Sequence, residues 1–348
     1  MTPRSILVVR RDNIGDLVCT TPAIAALRRA FPDARLAALV NSYNAEALAG
    51  NPDLDAVYAY TKLKHRDAGQ SALGAVWARA KLLHTIRRER FDVAILGKSS
   101  WDKHGLRLAR QCGVARTIGF ASPDSRARQP DIALPQPDPL IHEVEAVAQL
   151  LVPLGVKSAP GPLQVFADAA LAAHAEARFA VLGKRPRLAL HLSAREATRR
   201  WPAERWVMLA HAAAYAGWGI VLFWSPGAED DPRHPGDDAF AAEIAASLEQ
   251  IPFVARPTHG LRELVAAFSR CHAFVGADGG ALHLAAASGL PMVALFEDLP
   301  QKTKHWYPWQ VPHELLCGPD ATVAGIPPER AIIALSKLPR HEPAALHG

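Results

Sequence analysis

Short apolar runs alternate with longer segments of helical periodicity along most of this chain. In the first third, apolar runs predict strands at 5–10, 35–40, 56–60, 92–96 and 117–120. Amphipathic or Ala-rich segments between them predict helices at 20–31, 44–49, 72–90 and 106–112. Strands that alternate with helices are typical of βαβ units, which build a parallel sheet.

The alternation stops and then restarts. Residues 121–139 contain five prolines and predict irregular chain, and a helix at 142–154 precedes a Gly/Pro-rich stretch at 155–162. Strands are then predicted at 187–192, 219–224, 253–255, 273–275 and 292–296. Helices are predicted at 203–215, 238–248, 261–269, 282–288 and 329–338.

The pattern predicts an α/β protein with two tandem Rossmann-like domains that face a central cleft. A chain of 348 residues is also long for one core, which favours two domains. We place the N-terminal domain at 1–160 and the C-terminal domain at 161–325. Residues 326–348 form a terminal helix and tail, and the helix is a candidate for packing back on the N-terminal domain.

Composition excludes several classes of protein. No apolar run approaches the ~20 residues of a membrane span, and no apolar segment of a secretory signal follows Met1. The four cysteines stand far apart without CxxC spacing, so we expect reduced thiols and a cytoplasmic protein. The fifteen histidines show no metal-ligand spacing, and we predict no metal site.

Positive charge is concentrated in the first half of the chain. Residues 62–128 hold 15 Lys/Arg against 5 Asp/Glu, within a total formal charge of +5. This excess fits a solvated surface, and it also fits a docking face for an anionic partner such as a phosphorylated lipid or an acidic sugar. No nucleic-acid-binding motif is present, so nucleic acid is not an expected partner.

The candidate chemistry lies where predicted strands end. Asp278, Gly279 and Gly280 stand between a strand and a helix, with His283 one helical turn on. Glycines allow a ligand to approach the backbone, and the free N–H groups of a helix N-terminus attract phosphate. A carboxylate and an imidazole beside them favour a ligand with both phosphate and hydroxyl groups, such as a nucleotide-sugar.

Three further motifs follow other strand ends. Asp16 follows the first strand, and a helix-cap or first-turn role is as consistent with its position as a functional one. Ser193 precedes the paired Arg199 and Arg200, whose forks match phosphate oxygens, although the local pattern by itself favours a pair of surface arginines. Glu229 follows the strand at 219–224 and could bind ribose hydroxyls, whereas the acidic residues from Asp230 to Asp238 predict a solvated loop. Because the motifs of the C-terminal domain follow strands of one sheet, we expect them to share one edge.

Together these motifs resemble glycosyltransferase family 9, the heptosyltransferases of lipopolysaccharide core synthesis. The resemblance spans nearly the whole chain. It is carried by residues 10–22, 51–55, 97–99, 118–120, 199–202 and 278–291.

The resemblance implies a GT-B fold and an inverting, metal-independent transfer that needs no cofactor, with a nucleotide-sugar donor such as ADP-heptose and an anionic glycolipid acceptor. Asp16 would then be the general base and Arg199 would stabilise the leaving group. The implied donor-binding residues are Ser193, Arg200, Glu229, Asp278, Gly279, Gly280 and His283. The implied acceptor-binding residues are Lys62, Lys64, Arg66 and Lys98, and peripheral contact with the inner membrane surface follows from such an acceptor.

Two positions depart from the family pattern. Heptosyltransferases commonly have Lys where Arg199 stands and Ser or Thr where Gly279 stands. Two alternatives therefore stay open: the same chemistry with another nucleotide-sugar or glycan, and a nucleotide-sugar-binding protein without transfer activity.

Overall fold

The chain forms two compact units, Met1–Gln164 and Val165–Gly348. The structure, a computed structural model, describes residues 2–61, 72–231 and 235–343. The observed division lies close to the boundary predicted between residues 160 and 161. Each unit contains one six-stranded parallel sheet with helices, as the alternating pattern predicted.

The first unit has the strand order β3-β2-β1-β4-β5-β6. Its strands are β1 (Ser5–Arg10), β2 (Arg35–Asn41), β3 (Ala56–Tyr60), β4 (Val93–Leu96), β5 (Arg116–Phe120) and β6 (Ile132–Leu134). Its helices are α1 (Ile14–Val18), α2 (Thr21–Ala30), α3 (Ala72–Glu89), α4 (Lys103–Gln111) and α5 (Glu143–Gln149), with 3-10 turns at Ala45–Leu48 and Val152–Leu154. The chain winds outward from β1 to one edge and from β4 to the other, so the switch point lies between β1 and β4.

The second unit repeats this plan with the order β12-β11-β10-β7-β8-β9. Its strands are β7 (Arg187–His191), β8 (Gly219–Trp224), β9 (Phe253–Pro257), β10 (Ala273–Ala277), β11 (Met292–Glu297) and β12 (His313–Gly318). Its helices are α6 (Ala169–Phe179), α7 (Ala203–Tyr215), α8 (Asp238–Ala246), α9 (Leu261–Phe268), α10 (Gly280–Ala287), α11 (Pro300–Thr303) and α12 (Pro328–Lys337). Short 3-10 turns lie at Ala180–Leu182, Ala197–Arg199, Pro319–Ala321 and Val323–Gly325. Here the switch point lies between β7 and β10.

The central strands are covered on both faces, which explains why they read as continuous apolar runs. Every residue of β1 and β7 is buried. Trp206 and Trp218 lie in the core of the second unit. The terminal helix α12 packs on α7 and places Ala331, Ala334 and Leu335 in that same core. The helix is thus part of the core of the second unit, and its return to the first domain stays a prediction.

Several elements escaped the sequence pattern. The prediction of irregular chain at 121–139 is wrong at β6, a three-residue edge strand that pairs only with β5. Strand β12 is also an edge strand and begins with the polar His313 and Glu314. Edge strands bury less apolar surface than central ones, so their sequences carry a weaker signal. Helices α1, α6 and α11 were not predicted either.

Candidate functional site

Asp16 lies in α1, directly beyond the carboxyl end of β1, and both of its carboxylate oxygens are bound. Its Oδ2 accepts a hydrogen bond from the backbone N–H of Asn13 at 3.0 Å, which closes a capping box at the start of α1. Its Oδ1 accepts a hydrogen bond from the Arg10 guanidinium at 2.6 Å. Asp16 therefore caps the first turn of α1, which was one of the two roles that the sequence left open. The ion pair with Arg10 fixes the other oxygen of its carboxylate.

Arg10 is the last residue of β1 and is only 1% exposed. Its guanidinium donates to Glu143 Oε1 at 2.7 Å and to the carbonyl of Gly97, and its Nε lies 3.4 Å from Asp12 Oδ2. Burial lowers the pKa of Arg10, but Glu143, Asp16 and Asp12 outweigh that effect and raise its pKa above the ordinary value. Arg10 is therefore a permanent cation among three carboxylates.

Asp12 shows the opposite effect. Burial raises the pKa of its carboxyl group, and the positive charges of Arg10 and Lys98 offset only part of that rise. Lys98 follows β4, the strand next to β1, so its ammonium group contributes to the same edge of the sheet. The other three predicted acceptor-binding residues, Lys62, Lys64 and Arg66, lie outside the described residues.

In the second unit the Asp278-Gly279-Gly280 motif stands where it was predicted, between β10 and α10. Gly279 is the N-cap residue of α10, and its backbone is extended, with φ 167°. A Cβ there would meet only the carbonyl oxygen of Ala277, at 3.9 Å. Neither conformation nor packing therefore requires glycine at position 279, and the close approach of a ligand stays the reason we propose for it. His283 is buried, and its ring centroid lies 5.8 Å from that of Trp306 in a T-shaped arrangement.

Arg199 ends the 3-10 turn Ala197–Arg199 and is held by two carboxylates. Its Nε donates to Glu297 Oε2 at 3.0 Å, and its NH1 lies 3.4 Å from Asp278 Oδ2. Lys302 adds a second cation, with Nζ 3.7 Å from the same Asp278 oxygen. Burial raises the pKa of Glu297, but hydrogen bonds from Thr198 and Arg199 outweigh it, so the pKa lies below the usual value and the group is ionised.

Arg200, Glu229 and Ser193 occupy the neighbouring strand ends. The Ser193 hydroxyl accepts a hydrogen bond from the N–H of Ser225 at 2.8 Å, which ties the end of β7 to the end of β8. Arg200 lies 2.9 Å from Asp237 and 3.9 Å from Glu229, and the Glu229 side chain is 78% exposed. Glu229 is thus available to a ligand.

The prediction of a solvated acidic loop is wrong at Asp237, whereas Asp238 is exposed as predicted. Asp237 is buried and pairs with Arg200. Asp238 accepts hydrogen bonds from Trp224 Nε1 at 2.7 Å and from the N–H of Gly227 at 2.9 Å. Both carboxylates organise the loop after β8, because that loop must fold over the strand end and satisfy its own donors.

The predicted sharing of one edge is confirmed. The motifs of the second unit follow β10, β7 and β8, which are adjacent in the sheet, and Glu297 ends the next strand, β11. The sequence reasoning missed Glu297, Lys302 and the roles of Arg10 and Glu143. A signal existed for two of them, since Arg10 and Glu297 are charged residues that end buried strands.

Some classes of site are not found in the part of the chain that the structure describes. Within residues 2–61, 72–231 and 235–343, no group of three or more His, Cys, Asp or Glu side chains could hold a metal ion. No described helix combines the length and apolar character needed to cross a bilayer. No disulfide joins the cysteines in this described part of the chain.

A sequence model of glycosyltransferase family 9 (heptosyltransferase) matches residues 79–321. Lipopolysaccharide heptosyltransferase 3 of Escherichia coli K12 is 24% identical, covering 85% of this chain and 82% of the relative. Lipopolysaccharide heptosyltransferase 1 of Pseudomonas aeruginosa is 25% identical, covering 84% of this chain and 78% of the relative.

Solved structures share the fold. A family 9 glycosyltransferase from Veillonella parvula superposes with a TM-score of 0.81 at 19% identity, covering 96% of each chain. The E. coli ADP-heptose lipopolysaccharide heptosyltransferase II superposes with a TM-score of 0.74 at 20% identity, covering 95% of this chain and 97% of the other. The two-sheet α/β architecture is thus that of the GT-B heptosyltransferases, as the resemblance implied.

Proposed function

Because the chain belongs to glycosyltransferase family 9, we propose that this glycosyltransferase moves a heptose from ADP-heptose to an acceptor of the lipopolysaccharide core type. The transfer inverts the anomeric centre and uses no metal ion or cofactor. The observation that carries the proposal is Asp16, whose carboxylate is fixed through both oxygens at the carboxyl end of a central strand. Ligands of doubly wound sheets bind at such strand ends.

Asp16 is the proposed general base. The acceptor hydroxyl oxygen forms a bond to the anomeric carbon and gives its proton to the Asp16 carboxylate. The bond from the anomeric carbon to the phosphate oxygen breaks, and its electron pair leaves with the nucleoside diphosphate. Attack from the side opposite the leaving group inverts the anomeric centre in this single displacement.

Charge develops on the diphosphate as that bond breaks, and its stabilisation is the larger contribution to catalysis. Three features of the second unit support this role: the cations of Arg199 and Lys302, and the start of α10 at Gly280. Arg199 is already oriented by Glu297 and Asp278, so little reorganisation is needed when the phosphates arrive. Glu229 is proposed to bind the ribose, and Asp278 the sugar hydroxyls.

The choice of donor and acceptor rests on the relatives. They are lipopolysaccharide heptosyltransferases, and one solved structure is described as an ADP-heptose enzyme. The exposed Lys81, Arg87 and Arg88 of α3 give the first unit basic surface that an anionic glycolipid would favour. A protein acting on such an acceptor would work in the cytoplasm, with peripheral contact at the inner membrane surface.

The decisive test is Asp16→Asn, which keeps the shape of the side chain and removes the base. We expect transfer to fall by about three orders of magnitude or more, at the upper end of what a general base contributes. Affinity for the nucleotide should stay within about twofold, because the donor-binding residues proposed here belong to the other unit. Radiolabel or coupled transfer assays and calorimetric nucleotide binding measure the two quantities.

Asp53→Asn is a matched control, since it changes another aspartate of the first unit, one that lies outside the proposed site. Unchanged transfer in Asp16→Asn would remove the proposed mechanism. A thermal-shift panel of nucleotides and nucleotide-sugars then identifies the donor, because a ligand stabilises the folded protein according to its affinity. Preferential stabilisation by a uridine or guanosine sugar would favour the alternative donor, and transfer lost in EDTA would contradict metal independence.

A further inference from the structure

We propose that Arg10 and Glu143 are positioning residues for Asp16. Arg10 holds the Asp16 carboxylate, and Glu143 holds the Arg10 guanidinium in place. The inference rests on the proposed function, since it assigns a role toward the general base. It concerns residues that contact neither donor nor acceptor in the mechanism above. Their contribution would be the orientation of one carboxylate.

The geometry of the Arg10 fork is the first argument. One terminal nitrogen, NH2, binds Asp16 Oδ1 at 2.6 Å, while NH1 binds Glu143 Oε1 at 2.7 Å and the carbonyl of Gly97. A planar guanidinium held at NH1 by two acceptors can present NH2 in only one direction. Oδ2 of Asp16 is held by the N–H of Asn13, and the direction of Oδ1 is set by residues at the ends of β1 and β4 and the start of α5.

The burial of the anchor is the second argument. Glu143 is 0% exposed and is the first residue of α5, whose N-cap is His142. A carboxylate at that place is favoured by the helix dipole, yet a buried charge is costly unless it is paired. Arg10 supplies that pairing. If these two positions served stability alone, apolar side chains could fill them. A buried Arg10–Glu143 ion pair beside Asp16 therefore indicates that the pair orients the Asp16 carboxylate.

The charge balance is the third argument. Asp12, Asp16 and Glu143 surround the guanidinium of Arg10. Lys98 lies near Asp12. Next to them is an ion pair in which Arg11 NH1 lies 3.7 Å from Asp102 Oδ1. When Asp16 takes the acceptor proton, its attraction to Arg10 weakens. Glu143 and the Gly97 carbonyl still hold the guanidinium, so it stays in place for the next turnover. A cation held by Asp16 alone would be free to move at that step.

Glu143→Gln, Arg10→Lys and Arg10→Met test the inference in the full-length protein. We expect kcat to fall about tenfold in Glu143→Gln and about a hundredfold in Arg10→Met, with Arg10→Lys between them, since misplacement of a reacting group by about 1 Å costs that much. Nucleotide affinity should stay within twofold. Arg28→Met is the matched control: it removes a bound arginine of the same unit that pairs with Asp55, and kcat should not change.

Two further readouts separate positioning from a loss of stability. Combining Arg10→Met with Asp16→Asn should reduce transfer no further than Asp16→Asn alone, because a residue that acts through another adds nothing once that residue is gone. The acidic limb of the kcat–pH profile should also move to higher pH in Arg10→Met, since a cation has been removed from among Asp12, Asp16 and Glu143.

The failure modes are distinct. If Asp16→Asn transfers normally, the proposed function fails. If Asp16→Asn is inactive while Glu143→Gln and Arg10→Lys keep parental kcat and pH profile, the positioning role alone is overturned. Additive losses in the double variant would also overturn it. Should Arg10→Met not fold, Glu143→Gln and Arg10→Lys still decide the question, because both keep hydrogen-bonding groups in place.

Discussion

Each sheet carries a cluster of charged side chains beyond the carboxyl ends of its strands, and the two clusters differ in the number and exposure of their cations. In the first unit one cation, Arg10, is buried among three carboxylates. In the second unit two cations, Arg199 and Lys302, meet the two carboxylates Asp278 and Glu297. The cations also differ in access, since Arg10 is 1% exposed whereas Arg199 and Lys302 are 18% and 29% exposed.

The difference indicates two tasks. A buried cation cannot meet a ligand, so Arg10 can act only on the carboxylates around it. Partly exposed cations whose charges are balanced by neighbours stay in position without a ligand and can still attract phosphate. The first cluster thus holds an anion of the protein, and we propose that the second binds the anionic phosphates of a ligand.

Among the tests of this comparison, the largest effect is expected when Arg199 is removed. Arg199→Ala should lower transfer about 10²–10³-fold, the scale of losing one preorganised donor to the leaving group, and should weaken nucleotide diphosphate binding. Arg199→Lys should retain more activity because it keeps the charge. Transfer kinetics and calorimetry on the variants measure both effects.

The matched control for Arg199 is Arg270→Ala. Arg270 pairs with Glu176 at 2.8 Å and precedes β10, so it stands at the opposite end of that strand. Its loss should reduce stability without reducing transfer per folded molecule. Equal losses in the two variants would mean that Arg199 acts through the fold and would break the comparison.

Acid should affect the stability of the two units in opposite directions. Burial lowers the pKa of His191, at the end of β7, from 6.5 to about 4, so the unfolded chain binds the proton more readily and stability falls as pH drops through this window. The loss from this residue is up to about 3 kcal/mol. Asp12 has a raised pKa, so the folded first unit takes up a proton first and gains relative stability in acid.

We therefore expect the second unit to lose stability relative to the first as pH falls from 6.5 to 4. Urea unfolding followed by hydrogen exchange at several pH values resolves the two units. His191→Asn should reduce the dependence of the second unit's stability on pH in that window, whereas Asp53→Asn should not. A first unit that loses more stability than the second over this range would contradict the comparison.

The smallest effect concerns the balance of charge in the second cluster. Glu297→Gln keeps the side-chain shape and leaves the cluster with one extra positive charge. Nucleotide diphosphate binding should tighten about fivefold, equivalent to about 1 kcal/mol for charges near a protein surface. Calorimetric titration at low and high salt measures this change. Weaker binding would indicate that Glu297 matters through orientation of Arg199 and not through charge.

Much of the architecture was predictable because central parallel strands are continuous apolar runs. Strands β1 and β8 and helix α7 were predicted with the observed bounds. The edge strands β3 and β9 were predicted as well, whereas β6 and β12 were not, because β6 has three residues and β12 begins with the polar His313 and Glu314. The positions of Asp16, Asp278 and Arg199 at strand ends followed from the alternation of elements alone.

The partners of those residues were not predictable in the same way. Glu143 lies 133 residues from Arg10 in sequence, and Glu297 lies 98 from Arg199. Nothing local to either acid indicates a partner, because an ion pair depends on which strand ends and helix starts the folded sheet brings together. The same holds for Lys302 and Asp278.

The sequence by itself determined the alternation of elements, the two parallel sheets and the strand ends at which chemistry would lie, because strands buried on both faces are continuous apolar runs that differ from the helices between them. Only the tertiary structure decided which charges meet: that Arg10 serves three carboxylates in one unit, and that Arg199 is balanced by two in the other. Strand order sets those encounters, and it is fixed by the packing of elements distant in the chain.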